Sequence, residues 1–342
     1  MVVYSGKMLP VPAFDVDDPR VDECVRLVRR YGLLETRIVH SPALSAIARR
    51  DVFLKCENEQ VTGAFKVRGA LCRIAALKGE ERHRGVVASS AGNHGLGVAW
   101  ACRILGVPGL VVVPETVARV KLTRLQEMLI KIRLHGSCYD EAEPHAMEVA
   151  KEAGATFVSP YDDPWIMAGN GGTVGREIRA RLPGCAVVVA PVGGGGLATG
   201  LAVGVKPVPV VGVNSAASPA MARSIADGRV YRTWDARKTL AEGLAGGVSD
   251  NSAALCARHL HRVEVVGEQS IIEAIRLVVR SHGMVVEGSA AVGVAALLER
   301  KELPGEGPIC VVLTGRNIDH EKLKLVLGGA GPGAIGRGEG EG

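Results

Sequence analysis

Lys66 has the surroundings in this sequence that best suit covalent chemistry. It stands in QVTGAFKVRGA, residues 60–70, between Phe65 and Val67 and near the predicted start of a helix. Apolar neighbours lower the pKa of a lysine amine, and a neutral amine is both a nucleophile and a base. A cation at a helix start is also unfavourable unless an anion lies nearby. The alternative, a solvated surface lysine, is the ordinary state of this residue type.

Two loops have the composition of anion-binding turns. SSAGNHG, residues 89–95, and PVGGGGL, residues 191–197, each follow an apolar β-branched run and precede a helical pattern. Backbone N–H groups at such a helix start can bind a phosphate or a carboxylate, although Ser and Asn there can also act only as helix caps. The second loop has no G-K-[ST], and no carboxylate follows the next strand at 213–215, so a P-loop and NAD binding are both disfavoured.

Two further segments carry polar groups at predicted element ends. LTGRNID, residues 313–319, puts Thr314 at the end of a strand, where ligands of α/β proteins lie. EGSAA, residues 287–291, opens a helix with an acid, which is either a functional carboxyl or only a partner of the helix dipole.

Short apolar runs alternate with helical patterns along the chain, which predicts parallel strands buried on both faces and an α/β fold. The predicted strands are Val52–Lys55, Gly85–Ala88, Gly109–Val113, Lys131–His135, Thr156–Val158, Ala186–Ala190, Val208–Val213 and Ile309–Leu313.

Composition excludes several classes of protein. A chain of 342 residues with 47% hydrophobic and 23% charged residues is typical of a soluble globular protein of about two domains. Aromatic residues make up 4%, and the net charge of +5 forms no basic block, so nucleic-acid binding is not expected. The eight cysteines have no C-x-x-C spacing, which disfavours a zinc site and a disulfide framework.

The N-terminus lacks the apolar core of a signal peptide, so we expect a cytoplasmic protein. Residues 185–205 carry no charge, but Pro191 and the run Gly193–Gly196 would break a spanning helix. A strand, a tight loop and a buried helix explain this stretch better than a membrane segment.

Taken in order, the loops carry a resemblance. TGAFKVRGA, SSAGNHG, PVGGGGLATG, EGSAAVGVAAL and LTGRNID resemble the signature loops of fold-type II pyridoxal-phosphate enzymes, in the serine/threonine dehydratase and serine racemase branch, over roughly residues 35–325. The resemblance implies a tryptophan synthase β-like fold with two parallel or mixed-sheet α/β domains and the cofactor in the cleft. It implies a large domain from 1–83 and 161–327, a small mobile domain at 84–160 and a disordered tail at 328–342.

The resemblance also implies a role for each loop. Lys66 matches the lysine that forms a Schiff base with pyridoxal 5'-phosphate and then acts as the base at the substrate Cα. Phe65 matches the residue that packs on the ring face, Asn93 the side chain that bonds the ring hydroxyl oxygen, and Thr314 the hydroxyl residue facing the pyridine nitrogen. The phosphate loop matches Gly193, Gly194, Gly195, Gly196 and Leu197. The loop that binds the substrate carboxylate matches Ser90, Ala91, Gly92, Asn93 and His94.

The sequence departs from this pattern in four places. Ala91 replaces the second catalytic serine of racemases, which favours a dehydratase. VNSAASPAM, residues 213–221, lacks the carboxylate that holds a divalent cation in racemase-like members, so we expect no metal. Arg316 replaces a glycine, and GNGGT, residues 169–173, carries one extra residue. An arginine near the cleft would suit an acidic substrate side chain, or it faces solvent.

The resemblance therefore implies a lyase of the EC 4.3.1 type. Such an enzyme converts a 3-hydroxy amino acid, such as L-threonine, L-serine or a related compound, to a 2-oxo acid and ammonia. A threonine synthase-like replacement enzyme, an amino-acid racemase and a non-catalytic binding protein are the alternatives. Family members usually dimerise, so we expect a homodimer whose other partner is a small amino-acid substrate, with no membrane.

Overall fold

The computed structural model describes residues 2–4, 7–9, 14–235 and 239–335. The strands are β1 (Val2–Tyr4), β2 (Lys7–Leu9), β3 (Ile38–His40), β4 (Val52–Lys55), β5 (Val86–Ser89), β6 (Gly109–Val113), β7 (Lys131–Leu134), β8 (Thr156–Phe157), β9 (Val187–Pro191), β10 (Val210–Ser215), β11 (Arg262–Val266) and β12 (Ile309–Val312).

The α-helices are α1 (Pro19–Arg30), α2 (Pro42–Ala48), α3 (Lys66–Ala75), α4 (Gly79–Arg84), α5 (Asn93–Leu105), α6 (Arg119–Glu127), α7 (Tyr139–Glu152), α8 (Pro164–Met167), α9 (Thr173–Arg181), α10 (Gly196–Val205), α11 (Ala220–Asp227), α12 (Asp250–His259), α13 (Glu268–His282), α14 (Gly288–Leu298), α15 (His320–Leu327) and α16 (Pro332–Ile335). Glu57–Glu59 and Glu242–Leu244 form 3₁₀ turns, and Ala168–Gly172 forms a π-helical turn.

The large sheet has six strands in the order β11-β10-β9-β12-β4-β3. Neighbouring strands are parallel, except that the edge strand β3 is antiparallel to β4. The central strands β9 and β12 are buried throughout, and Val311 of β12 pairs with Val189 on one side and Leu54 on the other. Burial on both faces explains why these strands are continuous apolar runs in the sequence.

The small sheet has four parallel strands in the order β7-β6-β5-β8. Its strands all come from residues 86–157, between β4 and β9 of the large sheet. Helix α7 packs on this sheet through Ala142, Ala146 and Val149, which lie in one cluster with Val87 and Val112.

The two sheets confirm the predicted α/β class with one parallel and one mixed sheet. The domain boundaries at residues 84 and 160 stay a prediction. Strands β1, β2, β3 and β11 are additional to the eight that we predicted. Strand β11 is a partly exposed edge strand, and its residues Arg262 and Glu264 form an ion pair. Because these charged residues interrupt the apolar run, the apolar pattern in the sequence did not predict this strand.

Residues 185–205 form β9, a glycine turn and α10, as predicted. Within the described ranges, no helix combines the length and the apolar character that crossing a bilayer requires.

The extra residue that we noted in residues 169–173 falls at the π-helical turn before α9. One inserted residue in a helix is commonly absorbed by such a turn. Here the side-chain oxygen of Asn170 accepts a hydrogen bond from the Gly69 N–H of α3 at 2.9 Å. The turn also packs directly on α10, because a Cβ on Gly171 would lie 2.1 Å from the Leu197 carbonyl oxygen. The π-helical turn therefore connects α3 with α10.

In the tail that we expected to be disordered, Pro332–Ile335 forms the short helix α16, and Arg276 donates to the Ala330 carbonyl at 2.9 Å. Residues 336–342 of that prediction lie outside the described residues.

Candidate active site

The predicted site loops come together where the carboxyl ends of the two sheets meet, which we call the junction. The segment 62–65 runs antiparallel to 314–317 after β12, with a bridge between Ala64 and Gly315. The Phe65 N–H donates to the Thr314 carbonyl at 3.1 Å. From the small sheet, Asn93 reaches this pair of segments through a hydrogen bond with Asn317.

Lys66 is the first residue of α3, and its side chain is partly buried at the junction. Its Nζ donates to the Pro160 carbonyl at 2.6 Å and lies 5.3 Å from the centroid of the Phe65 ring. Burial lowers the pKa of the Lys66 amine to about 8, while the carboxyl of Glu287 opposes this shift. At a pH near 8 a large fraction of this amine is neutral, and a neutral amine can act as a nucleophile or a base.

The segment 158–161, directly after β8, contacts three parts of the junction. The Val158 carbonyl bonds Nε2 of His94 at 2.9 Å, and the Pro160 carbonyl bonds Lys66. The Tyr161 ring covers the glycine turn, since a Cβ on Gly194 would lie 2.3 Å from its Cγ. The sequence analysis did not identify this segment, which has no glycine-rich or charged motif to mark it.

The glycine turn connects the buried strand β9 to the N-terminus of α10. Gly195 has a φ of +91°, which an L side chain rarely adopts. Gly196 begins the helix, so the first N–H groups of α10 lack partners within the helix. Leu197 is 7% exposed and packs in the core, so only its backbone is available to a ligand. The turn can bind an anion of phosphate size at the helix N-terminus.

The loop after β5 starts α5 at Asn93. The Gly92 N–H donates to Oγ of Ser90 at 3.2 Å, and a Cβ on Gly95 would lie 2.0 Å from the Ser90 carbonyl. His94 is buried, and its burial lowers the pKa of the imidazole to about 3. Because a carbonyl only accepts, Nε2 of His94 carries the proton, and Nδ1 is a buried acceptor for which the described residues provide no partner.

Two residues at the junction were not among our predicted site residues. Nδ2 of Asn93 donates to Oε1 of Glu287 at 2.8 Å, and Oδ1 of Asn93 accepts from Asn317 at 2.7 Å. Burial raises the pKa of Glu287 to about 7. Both residues lie in segments that the sequence analysis noted, but their approach to Asn93 depends on tertiary structure.

At the end of β12, Thr314 is 2% exposed, and its hydroxyl has no hydrogen-bond partner among the described residues. Arg316 is exposed, and its Nη1 donates to the Asn58 carbonyl at 3.0 Å. Of the two interpretations of Arg316, its exposure favours the one in which it faces solvent.

The junction thus contains the Lys66 amine with a pKa of about 8, a glycine turn that can bind an anion, the amide of Asn93, and the Thr314 hydroxyl, for which the described residues provide no partner. These groups fit pyridoxal phosphate, which needs a lysine, phosphate donors, a partner for its ring oxygen and a partner for its ring nitrogen. Within the described part of the chain, no three His, Cys, Asp or Glu residues are grouped to hold a metal ion. Fold and site together define a lysine-dependent cofactor enzyme of the α/β class.

The chain belongs to the pyridoxal-phosphate dependent enzymes, because the model of that family matches residues 30–315. It is 40% identical over 297 residues to an L-threonine ammonia-lyase of Thermotoga maritima, covering 85% of this chain and 73% of that protein. It is 33% identical over 317 residues to the catabolic L-threonine dehydratase of Escherichia coli K12, covering 90% and 96%. Among solved structures, maize serine racemase aligns with a TM-score of 0.85 and 28% identity, covering 91% and 96%.

These comparisons confirm three of the expectations from the sequence: the fold-type II family, the tryptophan synthase β-like fold and pyridoxal phosphate as the cofactor.

Proposed function

We propose that the protein is a pyridoxal-phosphate dependent lyase that converts L-threonine, L-serine or a related 3-hydroxy amino acid to a 2-oxo acid and ammonia. Its relatives named L-threonine ammonia-lyase and L-threonine dehydratase support this assignment, since they match 85% or more of the chain. The single observation that carries it is the partly buried amine of Lys66, which donates to the Pro160 carbonyl next to Tyr161, the residue that covers the glycine turn, and whose pKa burial lowers to about 8.

Each predicted site residue has a proposed role in this reaction. The bound cofactor would supply an electron sink for negative charge at the substrate Cα. Lys66 would hold the cofactor covalently and, once free, take the Cα proton. The turn Gly193–Leu197 would bind the phosphate through N–H groups, and Phe65 would pack on the ring. The loop Ser90–His94 would bind the substrate carboxylate, where α5 begins and anions are stabilised.

Two side chains would tune the cofactor. Asn93 would donate to the ring hydroxyl oxygen. The hydroxyl of Thr314 would face the ring nitrogen and, unlike a carboxylate, would leave it largely unprotonated. The resulting weaker electron sink suits elimination, because departure of the 3-hydroxyl quickly removes the negative charge. Water is lost, and hydrolysis of the enamine product gives the 2-oxo acid and ammonia.

The test is the substitution Lys66→Ala. The matched control is Lys151→Ala, at an exposed position of α7. We expect Lys66→Ala to lose the visible absorption of lysine-bound cofactor and the release of ammonia from L-threonine and L-serine. Lys151→Ala should retain both. Ammonia release at the native rate by Lys66→Ala would refute the proposal. A panel of 3-hydroxy amino acids would then rank the substrates.

A racemase is disfavoured by Ala91, which has no hydroxyl to act on the opposite face of the substrate. Product analysis separates the classes: a 2-oxo acid indicates a lyase, D-serine a racemase, and threonine from phosphohomoserine a synthase. The exposed position of Arg316 gives no support to an acidic substrate side chain. We also infer a role in amino-acid catabolism, a homodimer and a cytoplasmic location. Molecular-mass measurement in solution would test the dimer.

A further inference from the structure

Asn317 has only one hydrogen-bonding orientation at the junction. Its Nδ2 donates to the Thr62 carbonyl at 3.0 Å, and a carbonyl can only accept. The amide nitrogen of Asn317 must therefore face this side. The same Nδ2 donates to Oδ1 of Asn93 at 2.7 Å, so both of its hydrogens are used.

The orientation of Asn93 follows from that of Asn317. Because Oδ1 of Asn93 accepts from Asn317, Nδ2 lies on the opposite side, where it donates to Oε1 of Glu287 at 2.8 Å. An amide nitrogen has two hydrogens. The described residues provide no partner for the second one. The amide of Asn93 is thus left with one free N–H donor.

The carboxyl of Glu287 is itself held in place. The backbone N–H of Glu287 donates to the Gly315 carbonyl at 3.0 Å, which fixes the point from which its side chain starts. Oε1 lies against Gly315, where an added Cβ would be 2.6 Å away. Two backbone groups therefore fix the chain Asn317–Asn93–Glu287 at its ends: the Thr62 carbonyl and the Gly315 carbonyl.

We propose that Asn317 and Glu287 are positioning residues that hold the Asn93 amide in one orientation, with its free N–H available to the ring hydroxyl oxygen of bound pyridoxal phosphate. This inference rests on the proposed role of Asn93. A flipped Asn93 would present its carbonyl oxygen to the ring oxygen. Two facing acceptors repel, so the flipped state would bind the cofactor less tightly.

The experiment measures the dissociation constant of pyridoxal phosphate and the visible spectrum of the holoenzyme without substrate. Asn317→Asp replaces the donor to Asn93 with a carboxylate oxygen, and Glu287→Met removes the acceptor at similar size. Loss of one such bond should weaken cofactor binding roughly five- to tenfold and shift the absorption band. Glu287→Gln keeps an acceptor oxygen and should stay within about twofold of the wild type.

A double-mutant cycle separates positioning from a general structural role. In an Asn93→Ala background, Asn317→Asp and Glu287→Met should each add less than about twofold, because their effect passes through Asn93. Asn251→Asp, on the exposed first turn of α12, is the control for the same chemical change. If thermal melting shows no cooperative unfolding transition for Asn317→Asp, the comparison of Glu287→Met with Glu287→Gln provides the test.

The outcomes distinguish this inference from the proposed function. Unchanged affinity and spectrum in Glu287→Met, or full effects that persist in the Asn93→Ala background, would overturn the inference while the lyase assignment stands. A cofactor spectrum of the Lys66→Ala variant that is unchanged from the wild type would overturn both.

Discussion

Replacement of Gly195 by alanine tests whether the glycine turn has the shape that an anion requires. At a φ of +91°, alanine is strained by roughly 1–2 kcal/mol. The new Cβ would also lie 2.6 Å from Sγ of Cys256 and 3.0 Å from Cε of Met221. Such overpacking costs roughly 1–3 kcal/mol. We therefore expect the free energy of unfolding of Gly195→Ala to fall by roughly 2–5 kcal/mol.

The turn that strains under this substitution is also the proposed phosphate site, so a change in its N–H geometry should weaken pyridoxal-phosphate binding more than about tenfold. Chemical denaturation of the apoprotein measures the first effect, and equilibrium dialysis of the cofactor measures the second. Adding Cys256→Ala should recover the overpacking part, about 1–3 kcal/mol, and leave the backbone strain.

Gly184→Ala is the control, because its Cβ meets nothing within 4 Å and its φ is not left-handed. It should stay within about 0.5 kcal/mol of the wild type. If Gly195→Ala kept native stability and native affinity, both the strain and the contact with Cys256 would be wrong as physical descriptions of this turn.

Three further changes test other parts of the molecule. Arg68→Met should lower the unfolding free energy by about 3–5 kcal/mol in urea titration, because it leaves the fully buried Glu57 without its ion-pair partner at 2.8 Å. Glu242→Gln breaks ion pairs with Lys121 and Lys322 that are partly exposed, so melting should show a loss of at most about 1 kcal/mol, and less in high salt. Burial lowers the pKa of His94 to about 3. Between about pH 6.5 and 3 the imidazole therefore binds a proton in the unfolded chain but not in the folded one, and the free energy of unfolding decreases as the pH is lowered through that range. His94→Gln should remove up to about 2 kcal/mol of the loss between pH 7 and 5, and an unchanged pH profile would refute this assignment.

The sequence predicted the elements whose position is set by local pattern. The strands β4 and β6 have the predicted bounds, because apolar β-branched runs that end at polar or glycine residues mark a buried parallel strand. The same pattern placed the loops after β5, β9 and β12 at carboxyl ends of strands, where α/β sites form. The confirmed family and cofactor followed from the residues of these loops.

What the sequence did not predict depends on contacts between distant segments. Lys66 and its acceptor Pro160 are 94 residues apart, and Asn93 is 194 residues from Glu287 and 224 from Asn317. Periodicity contains no information about such pairs. Glu287 stood at a helix start, where an acid interacts with the dipole in any fold, so its role at the junction was indistinguishable from an ordinary one.

The route of the chain after β8 has a mechanical consequence for the site. Pro160 lies three residues beyond Phe157, the last residue of the small sheet, and three residues of extended chain span at most about 11 Å. Within this short segment, the Val158 carbonyl accepts a hydrogen bond from His94 and the Pro160 carbonyl accepts one from Lys66. The ring of Tyr161 packs against Gly194. A displacement of the small sheet must therefore act on the acceptor of the Lys66 amine and on the glycine turn together. If the small sheet moves relative to the large sheet, the contact between Pro160 and the Lys66 amine is therefore expected to change in the same step, because one segment of backbone connects them.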